Sequence, residues 1–282
     1  MASTVVADIG GTSSRWGVLG AGIEPVMIDG LPGFNPAVGE PDAFMRAVSE
    51  RFAAEGIGVD DLFAYGAGCG TYERAKRMAE ALLSIWPNAR VDVASDLVGA
   101  AHGLLGGSEG LVLILGTGMN AGWYDGAIVH QPMPSIGYIL GDEGSGADIG
   151  KHLLRAALRG RMPRDLLERI WPGGTNTAEV VEHLYRGGSP QAWLASFTGV
   201  LAGSLDHPWA AELVASRFKE LARLLRTFFN ESQRARIVAT GSVAYGMSGL
   251  LRSALADEGM LLSDVQRSPL PGLLRFRAAH VR

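Results

Sequence analysis

Short apolar runs alternate with stretches of helical periodicity along the first hundred residues. Two apolar runs within 5–19, separated only by a glycine-containing turn, predict a β-hairpin. Single apolar runs predict further strands at 25–29, 62–66 and 91–94, and the 3.6-residue pattern predicts helices over 43–54, 72–86 and from Ser95-Asp96 through Leu104. The predicted order is β-β-β-α-β-α-β-α.

The same pattern restarts after the glycine-rich stretch 106–110. A buried strand at 111–115 is followed by a Gly-Thr-Gly turn and by short strands around 122–124 and 127–129. Helices are predicted over 148–158, 165–171, 177–185, 191–205, 209–230 and 250–257, with a strand at 237–240. Two similar halves with a cleft between them follow from this repetition. The predicted domains are 1–106, joined by the C-terminal tail from about 270 to 282, and 107–269, which carries a helical insertion.

Composition excludes several functional classes. The formal net charge of −4 argues against a nucleic-acid partner or an anionic membrane surface. Because Cys69 is the only cysteine, the chain by itself builds neither a disulfide nor a cysteine-ligated metal cluster. The start shows no signal-peptide pattern and no apolar run approaches the length of a membrane span, so we expect a cytoplasmic protein.

Glycine-bearing turns follow four of the apolar strands. They are Asp8-Ile9-Gly10-Gly11-Thr12, Gly116-Thr117-Gly118, Gly141-Asp142-Glu143-Gly144 and Gly241-Ser242. Four such turns favour a nucleotide site over ordinary hairpins, because glycine lets backbone N–H groups approach phosphate oxygens. Asp8, at a strand end, could hold a hydrated Mg²⁺ beside them. Neither a P-loop motif nor a dinucleotide fingerprint is present.

Acidic and amide side chains supply the remaining candidate chemistry. Asp96 follows a buried strand and could act as the general base for a substrate hydroxyl, although local sequence on its own favours a helix N-cap. Asp142 and Glu143 could accept hydrogen bonds from sugar hydroxyls or simply complement a helix N-terminus. Asn35 and Asn120, each in a predicted turn, could bind sugar through their amides.

The chain resembles the sugar kinase/actin/Hsp70-like ATPase superfamily, and within it the BadF/BadG/BcrA/BcrD-type branch that includes N-acetylglucosamine kinases. The motifs that carry the resemblance are 7–12, 65–69, 95–101, 114–120, 137–147 and 241–245, in the order of the family and across most of the chain. It differs from the family at Met119, where a Ser is usual, and at Ser13-Ser14-Arg15, where relatives often carry a Lys. With a single cysteine, the iron–sulfur branch of the family does not fit.

The resemblance implies an α/β fold of two actin-like (ribonuclease H-like) domains that close on ATP and Mg²⁺ in a central cleft. Asp8, Gly10, Gly11 and Thr12 would form the first phosphate loop, Gly116 and Thr117 the second, and Gly241-Ser242 the adenosine site. Asp96 would be the base, and Asn35, Asn120, Asp142 and Glu143 would bind the sugar, with Gly118 and Met119 beside it.

The activity implied is phosphorylation of an amino sugar, at O6, with N-acetylglucosamine as the leading substrate and glucosamine or N-acetylmuramic acid next. A non-catalytic ATP-binding sugar sensor is the alternative from another class. The apolar helical region would suit a homodimer.

Overall fold

The structure, a computed structural model, describes residues 3–20 and 23–280. The chain divides into two compact units, the first formed by Met1–Glu109, Tyr124–Val129 and Ser268–Arg282 and the second by Gly110–Trp123 and His130–Arg267. Each unit holds one five-stranded sheet with helices packed on it, which confirms the predicted α/β class. The predicted first domain and tail also include residues 1–2, 21–22 and 281–282, which lie outside the described residues.

The sheet of the first unit is mixed. Its elements are β1 (Thr4–Ile9), β2 (Ser13–Gly20), β3 (Ile23–Pro32), α1 (Asp42–Ala54), β4 (Asp61–Gly66), α2 (Tyr72–Ile85), β5 (Arg90–Ser95) and α3 (Asp96–Leu105). The strand order is β3-β2-β1-β4-β5, with β1–β2 and β2–β3 antiparallel and β1–β4 and β4–β5 parallel. The carboxyl ends of β1, β4 and β5 therefore lie at one edge of the sheet, where ligands bind in open α/β sheets.

The second unit repeats this order with a helical region inserted. Its elements are β6 (Gly110–Leu115), β7 (Met119–Tyr124), β8 (Val129–His130), α4 (Gly137–Leu140), α5 (Gly146–Leu158), α6 (Arg164–Ile170), α7 (Thr177–Arg186), α8 (Pro190–Ala202), α9 (Pro208–Phe228), β9 (Ile237–Thr240), α10 (Ser242–Gly246), α11 (Ser248–Asp257) and β10 (Leu262–Gln266). The order β8-β7-β6-β9-β10 corresponds strand for strand to that of the first unit. α9 buries Val214, Phe218, Leu221 and Leu225 in the core of this unit.

The last helix, α12 (Leu270–His280), belongs to the first unit. Its Leu270, Leu273 and Leu274 pack with Val6 and Tyr65 on the sheet. Residues 124–129, which the sequence placed in the second domain, also group with the first unit. In the part of the chain that the structure describes, no helix has the length and hydropathy to cross a bilayer.

Four elements were missed by sequence reasoning: α4, α10, β10 and α12. α12 carries Pro271 and Gly272, which resemble a turn, but proline is tolerated in the first turn of a helix. A Cβ at Gly272 would lie 1.8 Å from the Gly103 carbonyl oxygen, so the glycine permits close packing of α12 on α3. The strand predicted at 127–129 is also wrong in its bounds, because Asp125 Oδ1 accepts from the N–H groups of residues 127 and 128 and lengthens the turn.

Candidate functional site

The β1–β2 tip is a tight, closely packed turn. Gly10 N–H donates to the Ser13 carbonyl (2.9 Å), and Phe34 N–H donates to the Gly10 carbonyl (3.0 Å). Gly33 lies so close that a Cβ there would be 2.1 Å from the Gly10 oxygen. Gly11 and Thr12, at the outermost part of the tip, are exposed. The loop after β3 thus fixes the shape of the tip from behind and leaves its outer groups accessible to a ligand.

Asp8 ends β1 beside this tip. Its carboxylate accepts a hydrogen bond from Ser268 Oγ (3.0 Å). Burial raises the pKa of Asp8, and the Ser268 hydrogen bond and the Arg15 charge oppose that rise. Among the described residues, no group of three or more carboxylate, His or Cys side chains is placed to cage a metal. A single carboxylate fits a Mg²⁺ ion that keeps most of its waters.

The three residues that follow the tip, Ser13, Ser14 and Arg15, have different roles. Ser14 is buried, donates to the Pro32 carbonyl (2.8 Å) and accepts from Trp16 Nε1 (2.9 Å), so it holds β2 against β3. Arg15 lies opposite Asp8 in the β1–β2 register. Because directly paired residues share a face of the sheet, the guanidinium provides positive charge near Asp8.

Asn35 is brought against two of the glycine turns of the first unit. A Cβ at Gly11 would contact Asn35 Cβ at 3.9 Å, and a Cβ at Gly68 would lie 2.1 Å from Asn35 Oδ1. Gly68 also has a φ of +76°, which favours glycine. Asn35 Oδ1 accepts from Ala37 N–H (2.9 Å), so the amide is oriented within its own turn.

Asp96 is the first residue of α3. The N-cap is Ser95, whose Oγ accepts from Val98 N–H (3.3 Å), so the capping alternative applies to Ser95. Asp96 Oδ1 accepts from Leu97 N–H (2.8 Å). Burial raises the pKa of the nearby Cys69 thiol to about 12, with a contribution from the negative charge of Asp96. Cys69 is therefore a protonated thiol beside Asp96 and is not a nucleophile.

The β6–β7 tip of the second unit is tied to the start of α5. Gly116 N–H donates to the Gly118 carbonyl (3.0 Å), Gly146 N–H to the Gly116 carbonyl (2.8 Å) and Ala147 N–H to the Thr117 carbonyl (3.1 Å). Met119 and Asn120, predicted to lie in the turn, are the first residues of β7.

Gly241 lies directly against this tip. Its φ is +110°, and a Cβ would fall 2.2 Å from the Leu115 carbonyl oxygen. Ser242 begins α10. The structure thus brings Gly241 and Ser242 next to the Gly116-Thr117-Gly118 tip within one unit.

A cavity of about 140 Å³ lies in the second unit at the start of β7. Four residues predicted to contact substrate line it, namely Met119, Asn120, Asp142 and Glu143, together with Met133, Pro134, Ser135, Ile136, Leu224 and Phe228. Gly118 packs against the carboxylate of Asp142, since a Cβ there would lie 2.9 Å from Asp142 Oδ2. Residues 119–143 and 224–228, which are distant in sequence, therefore line one cavity.

Asp142 is buried and has an unusual backbone conformation, with a φ of +60°. Gln191 Nε2 donates to its Oδ2 (3.2 Å), and the Met119 N–H also donates to its carboxylate. Burial raises the pKa of Asp142 to about 6, with a further contribution from Glu143, and the Met119 hydrogen bond opposes the rise. The carboxylate is thus held in the cavity wall with a pKa well above that of an ordinary aspartate.

Asp148 anchors the turn that contains Asp142. Its Oδ2 accepts from Arg217 Nε (2.7 Å) and from Gly144 N–H (3.0 Å), and His152 Nδ1 lies 3.2 Å from Oδ1. Burial on its own raises the pKa of Asp148, but the hydrogen bonds from His152, Arg217 and Gly144 outweigh it and lower the pKa to about 2. Asp148 is therefore ionised and holds residues 142–145 in place.

Several of these residues were missed by sequence reasoning. Ser268, Gln191, Arg217, Leu224 and Phe228 reach their partners from distant parts of the chain, so no local pattern marks them. Asp148 carries a weak signal, an acid in the first turn of a helix, which is also typical of simple dipole complementation.

No family model matches the chain, and no curated protein matches it. Among solved structures, a proposed N-acetylglucosamine kinase from Porphyromonas gingivalis is 33% identical, with 99% of this chain and 100% of that chain covered and a TM-score of 0.87. A proposed N-acetylglucosamine kinase from Chromobacterium violaceum is 20% identical, with 98% and 99% covered and a TM-score of 0.70. A ROK family glucokinase from Streptomyces griseus, solved with glucose and AMPPNP, is 16% identical, with 98% of each chain covered and a TM-score of 0.59.

The last two similarities, at 20% and 16% identity, establish the fold alone. They confirm the two-domain actin-like fold of sugar kinases that the sequence predicted. The BadF/BadG/BcrA/BcrD-type branch is not named among these structures and stays a prediction. The first similarity is closer and covers both chains almost completely. The chain therefore belongs to the sugar kinase family that includes the proposed N-acetylglucosamine kinase of Porphyromonas gingivalis.

Proposed function

We propose that this protein is an ATP-dependent kinase that phosphorylates O6 of N-acetylglucosamine. The observation that carries the proposal is the cavity of the second unit, where Asn120 on β7 meets Asp142 and Glu143 from the turn before α5. Amide and carboxylate groups side by side can bind neighbouring sugar hydroxyls. The relative from Porphyromonas gingivalis is itself a proposed N-acetylglucosamine kinase, which supports this choice of sugar.

The phosphates of the nucleotide would bind at the two glycine tips, at Gly10, Gly11 and Thr12 in the first unit and at Gly116 and Thr117 in the second. The N–H groups of Gly10 and Gly116 donate to carbonyls within their own tips and shape them for this role. Gly241-Ser242 would bind adenosine. The proposed donor is ATP, which is supported by the ATP analogue in the Streptomyces griseus glucokinase. Mg²⁺ would be held by Asp8 through water and would neutralise phosphate charge.

Asp96 is assigned as the general base. Phosphoryl transfer needs little covalent chemistry from the protein, so catalysis rests on positioning the hydroxyl and stabilising charge. A carboxylate that follows the carboxyl end of β5 can accept the proton of the sugar hydroxyl. Asn35, held against Gly11 and Gly68 in the same unit, would orient the sugar for that step.

The proposal is tested by coupled ADP release over a panel of N-acetylglucosamine, glucosamine, N-acetylmuramic acid and glucose. We expect sugar-dependent ADP with N-acetylglucosamine, and Asp96→Asn should retain ATP binding by calorimetry while turnover falls by about 10²–10⁴. Asp92→Asn on β5, whose side chain is 63% exposed, is the matched control and should stay active. Near-normal turnover by Asp96→Asn would refute its role, and tight ATP binding without sugar-dependent ADP would favour a sensor.

A further inference from the structure

The cavity of the second unit is lined by two chemically different groups of residues, called here the polar wall and the apolar wall. One carries the hydrogen-bonding groups of Asn120, Asp142 and Glu143. The other is apolar and is formed by Met119, Met133, Pro134, Ile136, Leu224 and Phe228. Apart from Met119, the residues of the apolar wall have no part in the proposed sugar contacts.

The apolar wall belongs to the body of the unit. Met119 and Met133 are 8% and 3% exposed and are part of the hydrophobic core. Leu224 and Phe228 extend the wall from α9 and are only partly buried. Methionine side chains adapt to the shape of an apolar ligand, whereas a hydroxyl or ammonium group placed against such a wall would lose hydration without gaining a partner.

We propose that this apolar wall binds the N-acyl substituent of the sugar, so that the cavity selects 2-acylamino hexoses over hexoses with a hydroxyl or a free amine at C2. The inference rests on the proposed function and names the group that sets its substrate class. The volume of about 140 Å³ greatly exceeds that of a single water. We also expect the apolar wall to accept acyl chains somewhat longer than acetyl.

The acidic pair in the polar wall does not favour a free amine. Asp142 already accepts from Met119 N–H and Gln191. Burial raises the pKa of Asp142 because its surroundings disfavour a charged group, and the same surroundings would disfavour a buried ammonium group. An ammonium group that enters the cavity would also lose hydration against its apolar lining.

The test uses the full-length protein and measures both kcat/KM and calorimetric binding of the sugar alone, without nucleotide. The probes are glucose, glucosamine and the N-acetyl, N-propanoyl and N-butanoyl derivatives of glucosamine. Each acyl carbon buried against the wall should improve affinity and kcat/KM by about fourfold. We therefore expect a higher affinity and kcat/KM for N-acetylglucosamine than for glucosamine. We also expect N-propanoylglucosamine to be phosphorylated.

Substitutions at Leu224 test the wall in both directions. Leu224→Ala should shift the preference towards N-butanoyl by about tenfold relative to N-acetyl, and Leu224→Phe should shift it away from the longer chains. Leu213→Ala on the same helix is the matched control, because Leu213 packs against the core but does not line the cavity. It should leave the ranking of the sugars unchanged.

The outcomes separate the inference from the proposed function. Two results together would overturn the role of the apolar wall and leave the kinase activity intact. Glucosamine or glucose would have a kcat/KM as high as that of N-acetylglucosamine, and neither Leu224 variant would change the ranking of the sugars. Absence of ADP release with every sugar would overturn the proposed kinase activity. Calorimetry would then still show whether N-acyl sugars bind and whether the Leu224 variants change their relative affinities.

Discussion

Replacement of Asp148 by Asn should destabilise the protein in a pH-dependent way. Asp148 is 2% exposed, and Arg217, its partner at 2.7 Å, has a side chain only 16% exposed. Removing one charge of a buried pair typically costs about 3–5 kcal/mol, because the other charge stays buried without its partner. Asn can still accept from Gly144 N–H, so we expect about 3 kcal/mol at neutral pH, at the lower end of this range.

The pKa of Asp148 sets the pH range over which the effect of this substitution on stability changes. Its pKa falls from an ordinary value of 3.8 to about 2 in the folded protein, which corresponds to about 2 kcal/mol of stability at neutral pH. Because the folded pKa is the lower one, this stability is present above pH 3.8 and is lost as the pH falls through about 2. The difference between wild type and Asp148→Asn should shrink by about 1 kcal/mol at pH 3 and by about 2 kcal/mol at pH 2.

Urea unfolding of the two proteins at a series of pH values measures this difference. Asp206→Asn is the control, because Asp206 is also paired with an arginine, Arg169, but has a side chain 71% exposed. Its substitution should change stability little, since exposed pairs contribute little. A difference between wild type and Asp148→Asn that stays constant from pH 7 to pH 2 would refute the electrostatic reasoning.

Three further predictions concern the candidate sites. At pH values above 7, Asp142→Asn should have a higher melting temperature than wild type, because burial disfavours the ionised form of Asp142, whose folded pKa is about 6, and asparagine tolerates the positive φ. This gain should vanish as the pH falls below about 4. An effect that does not depend on pH would contradict the prediction. Gly241→Ala should lower the free energy of unfolding by about 2 kcal/mol or more, because the new Cβ would collide with the Leu115 carbonyl oxygen. It should also weaken ATP binding, measured by calorimetry. A variant as stable as wild type would contradict this prediction. Cys69 should resist iodoacetamide in the native protein and react after unfolding, and rapid native labelling would show that the thiol is not buried beside Asp96.

Periodicity and turn chemistry predicted the part of the fold that depends on local sequence. The β1–β2 hairpin, the restart at β6 and the helices α1, α2, α5 and α9 follow from apolar spacing and glycine positions, which act over a few residues. The motifs also predicted where candidate groups lie in the chain, since Asp8 ends a strand and Asp96 begins a helix in the structure as expected. Their proposed roles in catalysis and binding stay predictions.

Contacts between distant segments were decided only by the tertiary structure. α12 is helical although it contains Pro271 and Gly272, and Gly272 allows it to pack closely against Gly103. The Asp148–Arg217 pair spans 69 positions, and the cavity wall combines Met119 with Leu224. Such partners depend on how strands and helices pack, which no short sequence pattern encodes. The sequence by itself thus determined the elements and the candidate polar groups, and packing decided which of them share a cavity and how the charge of each is stabilised.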